Sequence, residues 1–253
     1  MDKKHFIGII PARYASVRLP GKPLAAIGDK PMIRWVFEAV KTVLDTVYVA
    51  TDDDRIKQAV EQFGGKAVMT SATHPSGTDR CYEAATIIRQ TENQSFDIVI
   101  NIQGDEPFLQ PGQLNTLMNC FTDPRVDIAT LATRFNGAAD IHNPNHAKIV
   151  RDKYKFALYF SRSAIPYIRG HEVNEWSTLF PFVKHIGIYA YRMETLKQLV
   201  DLQPSSLEMA ERLEQNRWLE NGFRIKVEDT VDPNLSVDTP EDLEKANALI
   251  RKK

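Results

Sequence analysis

The sequence predicts an α/β fold: a mostly parallel central sheet flanked by helices, with a smaller mixed α/β lobe inserted. Three observations point to it. In the first half, short runs rich in Ile and Val alternate with longer amphipathic segments, the pattern of successive βαβ units. The composition, 43% hydrophobic and 26% charged over 253 residues, can bury a large core and excludes fibrous and disordered chains. From about Thr133 the rhythm changes to turn signals and runs that read as antiparallel strands.

Taken in order, strands are expected at Phe6 to Ile10, Thr46 to Ala50, Lys66 to Met69, Asp97 to Ile102 and Asp127 to Ala132. Helices are expected between them: Pro31 to Val43, which opens on a proline suited to a first turn; Asp54 to Phe63, stopped by Gly64-Gly65; Gly77 to Arg89; and Pro111 to Phe121. Asn143-Pro144-Asn145 marks a turn, and Phe156 to Phe160 and Phe182 to Tyr191 read as antiparallel strands of the inserted lobe. One continuous helix from about Ser205 to Glu220, ended by Asn221-Gly222, and a strand from Phe223 to Val227 then return the chain to the main sheet. The last helix starts at Thr239-Pro240-Glu241, a capping residue followed by proline. The whole chain, residues 1–253, reads as one domain, with the lobe over approximately 133–200.

Lysine plus arginine (32) against aspartate plus glutamate (33) leaves a formal charge of −1, which argues against nucleic acid as a partner. Any anion site must then be local. The apolar run at Phe6 to Ile10 is too short for a signal-peptide core, and no stretch approaches the roughly 18 to 20 apolar residues that span a bilayer, so the chain reads as cytoplasmic without membrane insertion. Cys81 and Cys120 lack the spacing of a disulfide framework or a zinc site and read as small buried hydrophobes.

Five stretches could carry chemistry. From Lys3 to Gly28 there are five lysines and arginines and no acid, so Arg13, Arg18 and Lys22, in the loop after the first strand, form a positive cluster where a polyphosphate would sit; a merely solvated loop is the alternative. No GxGxxG or Walker pattern accompanies it. In Asn101-Ile-Gln-Gly-Asp-Glu-Pro107, Asp105 leaves a strand end at the same sheet edge and could hold a divalent cation, with Asp238 of Val237-Asp-Thr-Pro240 as its second ligand or, alternatively, a helix cap. In His74-Pro-Ser-Gly-Thr-Asp-Arg80, free helix N–H groups could meet a base or phosphate; alternatively Ser76 or Thr78 only caps the helix and Arg80 is surface. In Phe182 to Tyr191, strand alternation puts His185, Gly187 and Tyr189 on one face, a shelf for a polar ligand. On the following helix Glu214 falls in an apolar stripe and needs a partner, either Arg217 at i+3 or a ligand hydroxyl. His142 and His146 flank Pro144 and are discounted as a helical metal pair.

In this order, IIPARYASVRLPGKPL, HPSGTDR, NIQGDEP, YFSRSAIPY, KHIGIYAYR, LEQNRWLENG and VDTPEDL resemble the nucleotide-sugar cytidylyltransferases almost end to end, and the later motifs resemble the members that act on 3-deoxy-manno-octulosonate (Kdo). Asn216, where that family usually has an apolar residue, and Ala164, where it often has proline, are the departures. The resemblance implies a Rossmann-like sheet of the nucleotide-diphospho-sugar transferase type and a lobe that helps form a homodimer. It implies transfer of CMP from CTP to Kdo with release of pyrophosphate, the step that supplies Kdo to lipopolysaccharide; another sugar acid such as a sialic acid, or a regulatory protein without catalysis, are the alternatives. It further implies that Arg13, Arg18 and Lys22 bind the triphosphate, that Ser76, Arg80, Gln103 and the backbone near Ala12 frame the nucleotide, and that Asp105 and Asp238 hold Mg²⁺. Arg18, Lys22 and Asp105 would be catalytic, and Arg162, His185, Tyr189, Glu214 and Gln215 would hold the sugar acid.

Overall fold

A computed structural model describes residues 4–135, 138–231 and 236–251; Lys3 of the basic run lies outside them. The chain opens with β1 (Phe6–Ala12), a hairpin of β2 (Ala26–Ile27) and β3 (Lys30–Pro31), and α1 (Met32–Lys41). β4 (Val47–Thr51), α2 (Asp54–Gln62), β5 (Ala67–Met69), α3 (Gly77–Thr91), β6 (Ile98–Asn101) and α4 (Pro111–Asn119) follow. β1 pairs in parallel with β4 on one side and β6 on the other, and β4 pairs in parallel with β5. A strand in that central place is covered on both faces, which is why FIGIIPA reads as a nearly continuous apolar run instead of an alternation. Met32, Ile33, Val36, Phe37 and Val40 bury one stripe of α1. Each such side chain contributes roughly 1.5–3 kcal/mol before conformational entropy is subtracted. Asp53 caps α2 by accepting from Arg55 N, and Ser76 caps α3 by accepting from Thr78 N and Asp79 N.

Beyond α4 come β7 (Ile128–Arg134), α5 (Ala138–Ile141), β8 (Lys148–Arg151), β9 (Ala157–Ser161), α6 (Trp176–Leu179), β10 (Val183–Arg192) and α7 (Met193–Val200). The chain closes with α8 (Ser206–Glu211), α9 (Glu214–Glu220), β11 (Ile225–Asp229) and α10 (Pro240–Ile250). Two compact units result, one of residues 1–115, 190–200 and 234–253, the other of 116–189 and 201–233. In the second, β11 runs parallel to β7, while β8 is antiparallel to both β9 and β10.

Two points differ from expectation. The helix expected from Ser205 to Glu220 is two helices, broken at Arg212, which takes the left-handed conformation (φ 53°). The carbonyls of Glu211 and Arg212 accept from the Arg162 guanidinium at 2.7 and 3.2 Å, a contact about fifty residues away that helical periodicity cannot register. The strand expected over Phe223 to Val227 is β11, which pairs in parallel with β7 and belongs to the same nine-stranded sheet as β1, as expected. β8 was not expected, because its Lys148 is fully buried: its ammonium donates to the carbonyls of Asn143 and His146 at 3.0 and 2.7 Å and to that of Arg162. Cys81 and Cys120 are buried free thiols, and burial pushes Cys120 up to about 12. Among the described residues no helix is long and apolar enough to cross a membrane.

Candidate active site

The parallel pairing of β1 with β6, Phe6 opposite Ile98 through Ile9 opposite Asn101, brings their C-terminal ends to one sheet edge. That edge is where open α/β sheets bind ligands. The segments that leave the two strands touch: a Cβ on Gly104 would stand 2.8 Å from the Pro11 carbonyl oxygen, so only glycine permits the approach. In the loop after β1, the Tyr14 carbonyl accepts from Ser16 N at 2.9 Å and Gly21 N at 3.1 Å. Gly21, at φ 67°, then turns the chain into a short 3₁₀ turn over Lys22–Leu24. Underneath, Leu19 and Ala25 pack on a buried cluster of Ile27, Met32, Val237 and Ala246 that Phe108 also joins. Val237 N donates to the Asp105 carbonyl at 2.9 Å. This apolar plug fastens together three stretches far apart in sequence, around residues 18–22, 105 and 238.

Above it lies a cleft of about 380 Å³, within the roughly 300–1,000 Å³ of small-molecule sites. Ala12, Arg13, Arg18, Lys22, Ser76, Arg80, Gln103, Asp105 and Asp238 all line it. The Lys22 ammonium donates to Asp105 Oδ2 at 2.6 Å and to Asp238 Oδ1 at 3.1 Å, and Arg18 pairs with the same Asp238 oxygen at 2.9 Å. Burial works to lower the Lys22 pKa, but the two carboxylates outweigh it and the pKa is raised, so the ammonium stays charged. The capping alternative for Asp238 is excluded, because α10 is capped by Thr239, whose side chain accepts from Asp242 N. The Asp238 carboxylate is left to the cleft.

Ser76 does cap its helix, yet Arg80, one turn on, is not the surface residue that capping was expected to leave. It is 1% exposed, and its Nη1 donates to Thr70 Oγ1 at 2.6 Å and stands 3.3 Å from Asp52 Oδ1. Burial lowers its pKa, opposed by Asp52 and reinforced by Arg13. Asp52 and Thr70 were missed in the sequence. Their signal was position, since Asp52 follows β4 and Thr70 follows β5 at the ligand-binding edge.

Arg162, His185, Tyr189, Glu214 and Gln215 all lie in the second unit. The His185 and Tyr189 rings are 5.2 Å apart, as the shared strand face requires, and Trp218 meets Tyr189 edge-on at 5.1 Å. Burial lowers His185 to about 3 and raises Tyr189 well above its ordinary value, so both are neutral. His185 Nε2 lies 3.0 Å from Thr130 Oγ1, whose own proton goes to the Ile188 carbonyl at 2.7 Å. Hydrogen bonding therefore assigns the proton to Nε2 and leaves Nδ1 as the acceptor. Gln215 is buried, and its Nε2 has no partner among the described residues. Glu214 has the partner expected within its helix, Arg217 Nη2 at 3.0 Å. Arg162 also donates to the Pro144 carbonyl at 2.9 Å, so with Glu211 and Arg212 three of its five N–H groups serve backbone carbonyls.

Residues 7–229 match the family profile described as Cytidylyltransferase. The chain is 55% identical over 249 residues to the 3-deoxy-manno-octulosonate cytidylyltransferase of Parabacteroides distasonis, covering 97% of this chain and 98% of the relative. It is 52% identical over 251 residues to that of Phocaeicola vulgatus, covering 98% of each. Among solved structures, it superposes with a TM-score of 0.89 and 43% identity on a CMP:2-keto-3-deoxy-manno-octonic acid synthetase complexed with CTP, over 98% of this chain and 99% of the other. With a matching sheet edge, matching motifs and matches that run nearly end to end, the chain belongs to the 3-deoxy-manno-octulosonate cytidylyltransferase family.

Proposed function

We infer that the protein transfers CMP from CTP to the anomeric hydroxyl of Kdo, giving CMP-Kdo and pyrophosphate for lipopolysaccharide synthesis. The observation that carries this is the convergence of Asp105, Asp238, Arg18 and Lys22 in one cleft of a chain that belongs to this family. A regulatory protein without catalysis would have no need to keep that set together.

In the reaction the Kdo hydroxyl gives up its proton to solvent as its oxygen forms a bond to the α-phosphorus, and the bond from that phosphorus to its bridging oxygen breaks, its electron pair leaving with pyrophosphate. Such transfers depend on positioning and charge neutralisation more than on covalent help from the protein. Arg13, Arg18 and Lys22 donate to the triphosphate and receive the charge that develops on pyrophosphate. Ser76, Arg80, Gln103 and the backbone at Ala12 frame the cytidine. The donor set fits Mg²⁺: two hard carboxylates already share one cation, the Lys22 ammonium, and Mg²⁺ characteristically uses one or two carboxylates together with substrate phosphates. When bound, the ion would be held by Asp105 and Asp238 and would neutralise charge at the α-phosphate.

In the second unit His185 and Tyr189, both neutral, together with Glu214, Gln215 and the two remaining N–H groups of Arg162, hold the sugar acid. The buried, unpartnered Nε2 of Gln215 supports this reading. The family resemblance supports a homodimer built through this unit. Buried reduced thiols and the use of CTP fit a cytoplasmic enzyme. Product analysis with CTP, Mg²⁺ and a panel of Kdo, a sialic acid and a sugar phosphate tests the assignment. CMP-Kdo is the expected product, and preferential formation of another CMP-sugar would replace the substrate.

A further inference from the structure

We propose that Asp52 and Thr70 are positioning residues that aim the Arg80 guanidinium at the nucleotide base and thereby set the preference for cytosine, a proposal that rests on reading the cleft as the CTP site. Three observations carry it. First, Arg80 is buried and lines the cleft, yet its buried Nη2 has no partner among the described residues. A buried cationic donor left open costs free energy unless a ligand supplies an acceptor. Second, the other terminal nitrogen donates to Thr70 Oγ1 at 2.6 Å, and Asp52 Oδ1 stands 3.3 Å from it as an ion-pair partner outside hydrogen-bond geometry. Because a guanidinium is planar, fixing Nη1 also fixes where the Nη2 hydrogens point.

The third observation is the polarity of the anchor. The Thr70 hydroxyl donates its single proton to the Thr51 carbonyl at 3.2 Å, so toward Arg80 it can only accept. Thr70 N donates to the same carbonyl at 2.8 Å, and Thr51 is the last residue of β4. Arg80 is thus referred to the sheet backbone and not to a mobile loop. Cytosine presents two adjacent acceptors, N3 and O2, to such a donor edge, whereas uracil carries a proton on N3. A site built around a fixed donor rejects the analogue that cannot accept there.

The test uses the full chain carrying Thr70→Val, Thr70→Ser or Asp52→Asn, with Arg80→Met as a reference. The readouts are CTP binding by calorimetry, kcat and KM for CTP, UTP and Kdo, and melting temperature. Thr70→Val and Asp52→Asn are expected to raise the CTP KM and Kd about tenfold, to narrow the preference for CTP over UTP by a similar factor, and to leave the KM for Kdo unchanged. Thr70→Ser keeps the acceptor and is expected to restore both values. Wild-type CTP affinity and nucleotide preference in Thr70→Val and Asp52→Asn would overturn the proposal. So would a lowered melting temperature with an equal loss for CTP, UTP and Kdo, because that is the signature of a structural role alone. Arg80→Met binding CTP as the wild type does would instead overturn the reading of the cleft itself, and the proposal with it.

Discussion

The Lys22 ammonium is the counter-charge that lets Asp105 and Asp238 point at one place: without a cation between them, two carboxylates this close would repel. Asp105→Asn and Asp238→Asn each remove one charge from a cleft and no atom from the core. Each is expected to lower kcat by at least about a hundredfold while the unfolding free energy changes by under about 1 kcal/mol. Turnover and urea unfolding measured on the same preparations check this, and near wild-type activity of both at limiting Mg²⁺ would remove the metal assignment. His185 yields a prediction about pH. Its pKa falls from 6.5 to about 3 on folding, so between those values the unfolded chain binds a proton that the native protein does not. Its contribution to stability is complete above pH 6.5 and is lost as pH falls toward 3, by up to about 1.4 kcal/mol per pH unit. Urea unfolding from pH 7 to pH 4 is expected to show a shallower decline in His185→Gln than in the wild type; equal slopes would mean that the imidazole takes a proton without unfolding.

At the scale of the element, α10 matters because its cap frees Asp238 for the cleft. Thr239→Ala removes the acceptor for Asp242 N and is expected to cost about 1 kcal/mol in unfolding free energy, with little change in turnover at saturating substrate. Thermal denaturation together with a saturation curve checks it. A large loss of turnover without a loss of stability would mean that the cap also sets the Asp238 carboxylate. Much of this level was legible in the sequence because it is written locally. The apolar runs of β1, β4 and β6, the caps Ser76 and Thr239, and the basic loop carrying Arg18 and Lys22 each announce themselves within a few residues. What was not legible depends on partners remote in the chain. Ser205 to Glu220 has an unbroken helical pattern, and only Arg162, reaching the carbonyls of Glu211 and Arg212, marks the break. Lys148 disguised β8, because a lysine that spends its ammonium on backbone carbonyls is indistinguishable in sequence from a solvated one. The anchor of Arg80 was hidden for the same reason: Asp52 and Thr70 are ordinary loop residues until the parallel pairing of β4 with β5 brings their strand ends together.

At the scale of the whole molecule, a formal charge of −1 means that attraction for a polyanion is not spread over the surface but concentrated in one cleft. Arg13, Arg18, Lys22 and Arg80 supply the positive charge there, and Asp105 and Asp238 pair with two of them, Arg18 and Lys22. The chemistry that follows from this arrangement is a nucleotidyl transfer with pyrophosphate as the leaving group. Pyrophosphate release, followed continuously with CTP, Kdo and Mg²⁺ present and then with each omitted in turn, tests that claim most directly. The account predicts one pyrophosphate per CMP-Kdo formed and none when Kdo or CTP is left out. Release of inorganic phosphate in place of pyrophosphate, or pyrophosphate release that does not depend on Kdo, would contradict it.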